Sequence, residues 1–169
     1  MVKPLLLVDV DGVINVFDIV AFHLENEQDD SIEFEKEFDA NGFRIRVPTG
    51  IHDRFISLQE HFECVWATTW EDDAPKLLSP TIGFGLEWPI IKFWTGRVAN
   101  HRTWKLPSIK SWCEDNADGR RVAWIDDDLH EDAERWAIER GDTILISTHH
   151  RKGFTQSLFN KLMEWHGNS

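Results

Sequence analysis

The stretch Leu5–Asn15, LLLVDVDGVIN, is the most informative part of this sequence for the fold. It begins with four apolar residues in succession, a pattern typical of a strand that is buried on both faces of a parallel sheet. The run ends in two carboxylates, Asp9 and Asp11, which are spaced one residue apart. Because an ionised carboxylate loses much of its solvation free energy when it leaves water, burial is tolerated only with a compensating partner. The stretch therefore predicts that Asp9 and Asp11 face a cation or another compensating group at the end of a strand.

The composition is that of an ordinary soluble globular protein, with 41% apolar and 28% charged residues in a chain of 169. This length fits a single domain, 1–169. Every apolar run is shorter than the roughly 20 residues that span a membrane, so we expect neither an anchor nor a secretory signal. The two cysteines, Cys64 and Cys113, match no zinc or disulfide pattern, which favours a cytoplasmic protein. The net charge of −12 disfavours a broad basic nucleic-acid surface but permits a local basic site.

Short apolar runs alternate with amphipathic segments along the chain, as in a parallel sheet covered by helices on both faces. We therefore expect an α/β fold with a three-layer, Rossmann-like parallel sheet. Strands are predicted at 4–9, 63–67, 88–91, 121–125 and 143–147, and helices at 52–62, 72–78, 108–116, 131–140 and 155–166.

The segment 31–47, SIEFEKEFDANGFRIRV, departs from this rhythm. Polar and apolar residues alternate on both sides of the turn sequence DANG at 39–42, which predicts a β-hairpin. Acidic residues of the first arm can face arginines of the second. These are Glu33, Glu35 and Glu37, opposite Arg44 and Arg46. We expect the insertion 17–49 to form a small flap after the first strand.

Polar residues follow several of the predicted strands at the point where each strand ends. The second strand leads to Thr68, and the fourth leads to Asp126, Asp127 and Asp128. Lys105 lies just ahead of the helix that leads into the fourth strand. Because ligands of open α/β sheets bind at the carboxyl ends of the strands, we expect these side chains to meet Asp9 and Asp11.

In this order the set resembles the haloacid dehalogenase (HAD) superfamily of phosphohydrolases and phosphotransferases. The matching motifs are DVDG at 9–12, Thr68 in WATTW, Lys105 in WKLP and IDDD at 125–128. The resemblance extends from about Leu5 to Ile146. It implies a HAD-like fold, Mg²⁺ as the cofactor, and phosphoryl transfer through an aspartyl phosphate.

The resemblance also implies a role for each residue of the set. Asp9 would attack phosphorus, and Asp11 would protonate the leaving oxygen and then accept a proton from water. Thr68 would hydrogen-bond a phosphate oxygen, and Lys105 would neutralise charge on the nucleophile and the transferring group. Gly12 would let the backbone turn sharply beside the substrate.

The metal site implied by the resemblance consists of aspartates, whose oxygens suit Mg²⁺. Asp9 and Asp127 would be direct ligands, and Asp11 would contribute its backbone carbonyl. Asp126 would orient metal-bound water or Lys105. Asp128 is the remaining candidate in this run, and an acidic helix N-terminus explains it better.

Several assignments have competitors in the same motifs. Thr69 competes with Thr68 as the phosphate contact, and Thr68 also has capping-box spacing to Glu71. Lys110 competes with Lys105 but lies further inside the predicted helix. The DxD pair also occurs in metal-dependent glycosyltransferases, a reading that leaves Lys105 unexplained.

The segment 92–105, KFWTGRVANHRTWK, follows the third predicted strand and should border the same site. Its cations alternate with tryptophans, a mixture that can bind phosphates while stacking a base. Arg97 and Arg102 are therefore candidates for substrate binding. A surface loop with two rings packed into the core is the alternative.

The insertion 17–49 after the first strand and the segment 92–104 after the third are both too short for a cap domain. The resemblance therefore implies a minimal cap, with the hairpin as a flap over Asp9. Such a flap leaves the site open to a large substrate or requires an oligomer to close it. The expected reaction is hydrolysis of a phosphorylated small molecule or of a phosphorylated RNA or DNA end, and small modules of this kind are similar to phosphatase domains associated with RNA repair. A non-catalytic module that binds a phosphorylated partner is the alternative, which the intact set of motif residues disfavours.

Overall fold

The computed structural model describes residues 2–17, 32–93 and 102–168. Its centre is a four-stranded sheet in which all neighbouring strands are parallel. From edge to edge the strands are β4 (Glu63–Trp66), β1 (Leu5–Val8), β5 (Val122–Asp126) and β6 (Thr143–Ser147). The predicted Rossmann-like parallel sheet is confirmed.

The alternation of side chains along β1 explains the three layers. Leu6 and Val8 belong to the hydrophobic core on one face of the sheet, whereas Leu5 and Leu7 belong to the core on the other face. The first core is completed by α1 (Ile51–His61) and α5 (Gln156–Gly167), and the second by α3 (Leu106–Asn116) and α4 (Glu131–Arg140). A strand buried on both faces needs apolar residues at every position, as the sequence of β1 has.

The segment after β4 is helical, but it is not the regular helix predicted at 72–78. A π-helical turn, Ala74–Leu78, continues into the short α2 (Ser79–Ile82). Pro80 has no backbone N–H and cannot extend a regular α-helical hydrogen-bond ladder from the preceding turn. Among the described residues, no helix combines the length and the apolar character needed to cross a membrane.

The strand predicted at 88–91 is wrong. Only one bridge joins this segment to the sheet, between Trp66 and Ile90. Around it, Trp66 N donates to Pro89 O at 2.8 Å and Ile91 N donates to Trp66 O at 2.9 Å. Proline cannot donate to a β-ladder, so Pro89 limits the pairing at this edge of the sheet.

The predicted hairpin is present as a separate antiparallel pair, β2 (Phe34–Ala40) and β3 (Phe43–Pro48). Its two-residue turn is Asn41-Gly42, with φ of 50° and 81°. The predicted turn at 39–42 is therefore wrong by one residue, because Asn41-Gly42 tolerates the positive φ at both central positions of a type I′ turn and Ala40-Asn41 does not. Residues 18–31 of the predicted flap 17–49 lie outside the described residues.

The charges across the hairpin match the prediction in part. Glu37 pairs with Arg44 at 3.2 Å and with Arg46 at 3.5 Å. Glu35 does not face the arginines, since its carboxylate accepts hydrogen bonds from Gly50 N (2.8 Å) and His52 N (2.7 Å) at the start of α1. Glu35 therefore fastens the hairpin to the helix that follows it.

Candidate active site

A buried cation lies between two carboxylates at the carboxyl end of the sheet. Asp9 follows β1, Asp126 ends β5, and Lys105 precedes the first residue of α3. Lys105 Nζ lies 2.7 Å from Asp9 Oδ2 and 2.7 Å from Asp126 Oδ2. All three residues are buried, with at most 5% of each residue exposed. One ammonium therefore neutralises part of the charge of two carboxylates that have little or no contact with water.

The burial of this triad changes its proton affinities. Burial raises the pKa of Asp9 to about 7, Lys105 opposes the rise, and the charge of Asp126 adds to it. Burial by itself lowers the pKa of Lys105, but the two carboxylates outweigh it and raise the pKa above its ordinary value. Lys105 is therefore held as a cation, and Asp9 needs further positive charge to be fully ionised at neutral pH.

A third carboxylate completes a compact group of oxygens. Asp9, Asp126 and Asp127 each offer an oxygen within 4.8 Å of the others. Partial burial raises the pKa of Asp127 to about 6, and the neighbouring Asp126 charge adds to the rise. Carboxylates that resist joint ionisation in this way match the donor set of a hard divalent cation such as Mg²⁺. The residues present therefore fit the predicted cofactor.

Asp126 is engaged at both oxygens by the protein itself. Besides Lys105, its Oδ2 accepts from Trp124 Nε1 at 3.2 Å, and its Oδ1 accepts from Asp128 N at 3.0 Å. Asp127 is more exposed than the fully buried Asp126. Asp128 turns its side chain to His130 Nε2 at 2.8 Å. Asp126 and Asp127, at the end of β5, lie close to Asp9. A carboxylate oxygen of Asp128 contacts His130 instead.

Asp11 does not belong to this cluster of three carboxylates. Its Oδ1 accepts from Asn15 Nδ2 at 2.7 Å, and its Oδ2 accepts from Trp70 Nε1 at 2.9 Å. Asn15 is fixed in turn, because its Oδ1 accepts from Arg46 N of the hairpin at 2.9 Å. Asp9 and Asp11 are one residue apart and face different surroundings: Asp9 joins Asp126 and Asp127, whereas Asp11 lies toward the hairpin.

A pocket of about 540 Å³ opens beside Asp11. Its first wall is the loop after β1, with Asp11, Asn15 and Phe17. The hairpin contributes Asn41, Phe43 and Arg44, and the segment after β4 contributes Thr69, Trp70 and Asp73. The volume falls within the roughly 300–1,000 Å³ of small-ligand sites.

The two threonines after β4 have different surroundings. Thr68 is completely buried, and its Oγ1 accepts from Trp70 N at 3.3 Å. The capping-box interpretation is wrong, because no helix begins there and Glu71 accepts from Phe93 N at 3.0 Å instead. Thr69 is exposed on the wall of the pocket. Both residues remain candidates for the phosphate contact.

The described part of the segment 92–105 directs its cations to acidic partners. Lys92 Nζ lies 2.6 Å from Asp72 Oδ2. Arg102 is 70% exposed in its side chain and lies 3.5 Å from Glu131. Arg97 lies outside the described residues. Substrate binding by Arg97 and Arg102 therefore stays a prediction.

Sequence reasoning missed two residues that hold the segment before Lys105. Thr103 is 1% exposed, and its Oγ1 donates to Asp132 Oδ1 at 2.7 Å. The same hydroxyl accepts from His130 N at 2.9 Å. In the sequence, Asp132 reads only as one of several acids in the first turn of α4, where acids favour the helix dipole. Nothing local marks it as a partner of a threonine 29 positions away.

The turn at Gly12 is held by a hydrogen bond that the DVDG motif did not predict. Gly12 adopts the left-handed region with φ of 75°, which glycine permits. Its carbonyl accepts from Thr148 Oγ1 at 2.7 Å, just after β6. The turn that carries Asp11 is thereby fastened to the far strand of the sheet.

Comparison with known proteins identifies one family. The family model described as HAD domain in Swiss Army Knife RNA repair proteins matches residues 5–159, which is nearly the whole chain. No curated protein matches the sequence.

Proposed function

The chain belongs to the family of HAD domains in Swiss Army Knife RNA repair proteins, and from this membership we propose that it is a Mg²⁺-dependent phosphohydrolase that removes a terminal phosphate from an RNA end. The observation that carries the proposal is the position of Lys105 Nζ, 2.7 Å from both Asp9 and Asp126 beside the third carboxylate, Asp127. This arrangement supplies a nucleophile, a fixed cation and a set of metal ligands.

Asp9 is the proposed nucleophile. Its Oδ2 is held by Lys105 and its Oδ1 accepts from Val10 N at 2.8 Å, so the carboxylate has a fixed direction. An oxygen of Asp9 forms a bond to phosphorus while the bond from phosphorus to the leaving RNA oxygen breaks. The products of this step are an RNA hydroxyl and an aspartyl phosphate, and the reaction is divided into two smaller steps.

Asp11 is the proposed general acid and base. Its carboxyl gives a proton to the leaving oxygen in the first step. In the second step it takes a proton from the water that attacks the aspartyl phosphate, which releases inorganic phosphate and restores Asp9. Trp70 and Asn15 hold its two oxygens on the side of the pocket, where the leaving group would lie.

Asp9 and Asp127 would hold Mg²⁺ together with the backbone carbonyl of Asp11, while Asp126 orients Lys105. When bound, the ion supplies charge neutralisation for the carboxylate nucleophile and the anionic phosphate. Lys105 contributes a second positive charge that is fixed before substrate arrives.

The proposed substrate class rests on two supports. The family description concerns RNA repair, and hydrolysis of a phosphodiester bond leaves a phosphate on one of the two new ends. The hairpin forms one wall of the pocket beside Asp11, and this pocket is open to solvent, which suits the end of a long polymer. A site of this kind admits the terminal group and leaves the remainder of the strand outside.

The test measures phosphate release from an aryl phosphate and from RNA oligonucleotides phosphorylated at the 3′ or 5′ end. We expect Mg²⁺-dependent turnover that chelation with EDTA abolishes and that Asp9→Asn lowers at least about a hundredfold. Asp115→Asn, the same change on the exposed surface of α3, is the matched control and should leave turnover intact. Turnover that survives Asp9→Asn would contradict the aspartyl-phosphate route, and phosphate-dependent RNA binding without turnover would favour a non-catalytic module.

A further inference from the structure

The pocket between the hairpin and Trp70 has a role that the carboxylate chemistry leaves unassigned. It begins at Asp11, the residue proposed to protonate the leaving oxygen, and its walls do not include Asp9, Asp126 or Asp127. The group attached to the leaving oxygen must lie next to the general acid. The position of the pocket therefore matches the leaving group of the reaction, while the phosphate itself belongs at Asp9.

The charges around the pocket disfavour a second phosphate there. Asp11 and Asp73 contribute two carboxylates to its walls. The cation on its wall, Arg44, lies 3.2 Å from Glu37 and 3.7 Å from Asp39, which offset its charge. An uncharged group is accommodated more readily than an anion, because the Asp73 carboxylate repels an anion and Arg44 is already paired with acidic residues.

The aromatic residues of the pocket indicate what kind of neutral group fits. Phe43 is 62% exposed although it is a large apolar residue, and it stands at the tip of the hairpin. Its ring contacts the ring of Trp70 edge to face, with centroids 5.7 Å apart and an interplanar angle of 73°. An exposed aromatic ring beside a second ring forms a platform on which a flat heterocycle can stack.

The walls of the pocket also carry polar side chains that can hydrogen-bond a base and a sugar. Asn41 offers an amide, Thr69 offers a hydroxyl, and Asp73 offers a carboxylate that can accept from a base amino group or a sugar hydroxyl. A purely aliphatic leaving group would leave these polar groups without partners and gain little from them.

We propose that this pocket binds the nucleoside next to the scissile phosphate, with its base stacked on Phe43 at the tip of the hairpin. The proposal rests on the proposed function for the identity of the leaving group and deepens it by assigning substrate recognition to Phe43. Stacking tolerates every base because each has an aromatic face, so recognition here is of a nucleoside rather than of one sequence.

The first test measures binding of free nucleosides, which carry no phosphate and cannot be turned over. Titration calorimetry in Mg²⁺ compares adenosine and uridine with ribose. We expect both nucleosides to bind and ribose to bind at least about tenfold more weakly, and Phe43→Ala to weaken nucleoside binding at least about fivefold. Phe34→Ala is the matched control, since Phe34 is a partly exposed ring at the opposite end of the hairpin and does not line the pocket.

Equal binding of nucleosides and ribose would overturn the proposal, and so would equal effects of the Phe43 and Phe34 substitutions. The second test is the ratio of kcat/KM for adenosine monophosphate to that for ribose 5-phosphate, which Phe43→Ala should lower by a similar factor. Nucleoside binding without any phosphatase activity would support the pocket and refute the proposed function. Phosphatase activity with no preference for a base would support the proposed function and refute the nucleoside pocket.

Discussion

Gly12 lies directly against the carboxylate of Asp127. A Cβ atom on Gly12 would fall 2.2 Å from Asp127 Oδ2 and 2.7 Å from Asp127 Cβ. The glycine of the first motif thus makes room for Asp127, a proposed metal ligand that directly follows β5. Two motifs that are more than a hundred residues apart in the sequence share one small volume.

We expect Gly12→Ala to abolish Mg²⁺ binding and activity, because the new methyl group must displace Asp127. In the wild type, Mg²⁺ at about 100 times its Kd should raise the free energy of unfolding by about 2.7 kcal/mol. The variant should lose this stabilisation, measured as the shift of Tm with added Mg²⁺. Gly119→Ala is the matched control: its φ of 72° is nearly that of Gly12, but no atom lies within 4 Å of the added Cβ. Both variants carry backbone strain of roughly 1 kcal/mol, so retained Mg²⁺ stabilisation in Gly12→Ala would contradict the crowding argument.

Replacing Lys105 should cost both stability and activity. In Lys105→Met the buried carboxylates of Asp9 and Asp126 lose their shared ammonium, and breaking a buried pair from one side costs about 3–5 kcal/mol. Thermal unfolding in EDTA should therefore show a large fall in Tm, and turnover in Mg²⁺ should be lost. Lys110→Met makes the same change further along α3 and should leave both quantities near the wild type. Equal losses in the two variants would contradict the assignment of the catalytic role to Lys105 rather than Lys110.

The parts of the fold that the sequence predicts well are those with a local physical cause. The strand β1 is apolar at every position because both its faces are buried, and α4 shows its helical period, its acidic first turn and its terminal Gly141 within a dozen residues. The third predicted strand failed for a reason that was also local. Pro89 lies inside it, and the missing N–H limits pairing even though the run is apolar.

The contacts that complete the candidate site could not be predicted in the same way. The hydrogen bond from Trp70 to Asp11 joins residues 59 positions apart, and that from Thr148 to Gly12 joins residues 136 apart. The motifs predicted that Asp9, Lys105, Asp126 and Asp127 gather at the end of the sheet, because strand ends converge. They did not predict which oxygen each donor reaches, since that depends on loop conformations that leave no periodic pattern.

Removal of one indole hydrogen bond should lower turnover without damage to the fold. Trp70→Phe keeps an aromatic ring near Phe43 but removes the donor to Asp11 Oδ2. We expect kcat to fall about two- to tenfold, the range of one hydrogen bond, because Asp11 is then less firmly directed at the leaving oxygen. Trp88→Phe is the control, since it also loses an indole hydrogen bond, to Gln59 Oε1 at 2.9 Å, away from Asp11. Unchanged kcat in Trp70→Phe, or an equal fall in Trp88→Phe, would refute this role.

Thr103 precedes Lys105 by two positions, and we expect it to position that lysine. Its hydroxyl donates to Asp132 and accepts from His130 N, which ties the start of α3 to the start of α4. Thr103→Val keeps the shape of the side chain and removes both hydrogen bonds, at a cost of about 1–3 kcal/mol in the free energy of unfolding. Because Lys105 then loses part of its support, we expect kcat to fall as well, by about tenfold.

If Thr103 had a purely structural role, Thr103→Val would lower stability but not kcat. The control is therefore a variant that loses two hydroxyl hydrogen bonds at a site away from Lys105. Thr143→Val provides it: the Thr143 hydroxyl donates to Gly141 O at 2.7 Å and accepts from Arg140 at 2.9 Å, at the amino end of β6. We expect this control to lower Tm with kcat unchanged, and Thr103→Ser to restore kcat because it retains the hydroxyl. If Thr103→Val and Thr143→Val lowered kcat equally, or if serine failed to restore it, Thr103 would not position Lys105. A selective effect on kcat would reach the site through the backbone that carries Lys105, or through His130 and Asp128, which lead from the Thr103 hydroxyl to Asp126.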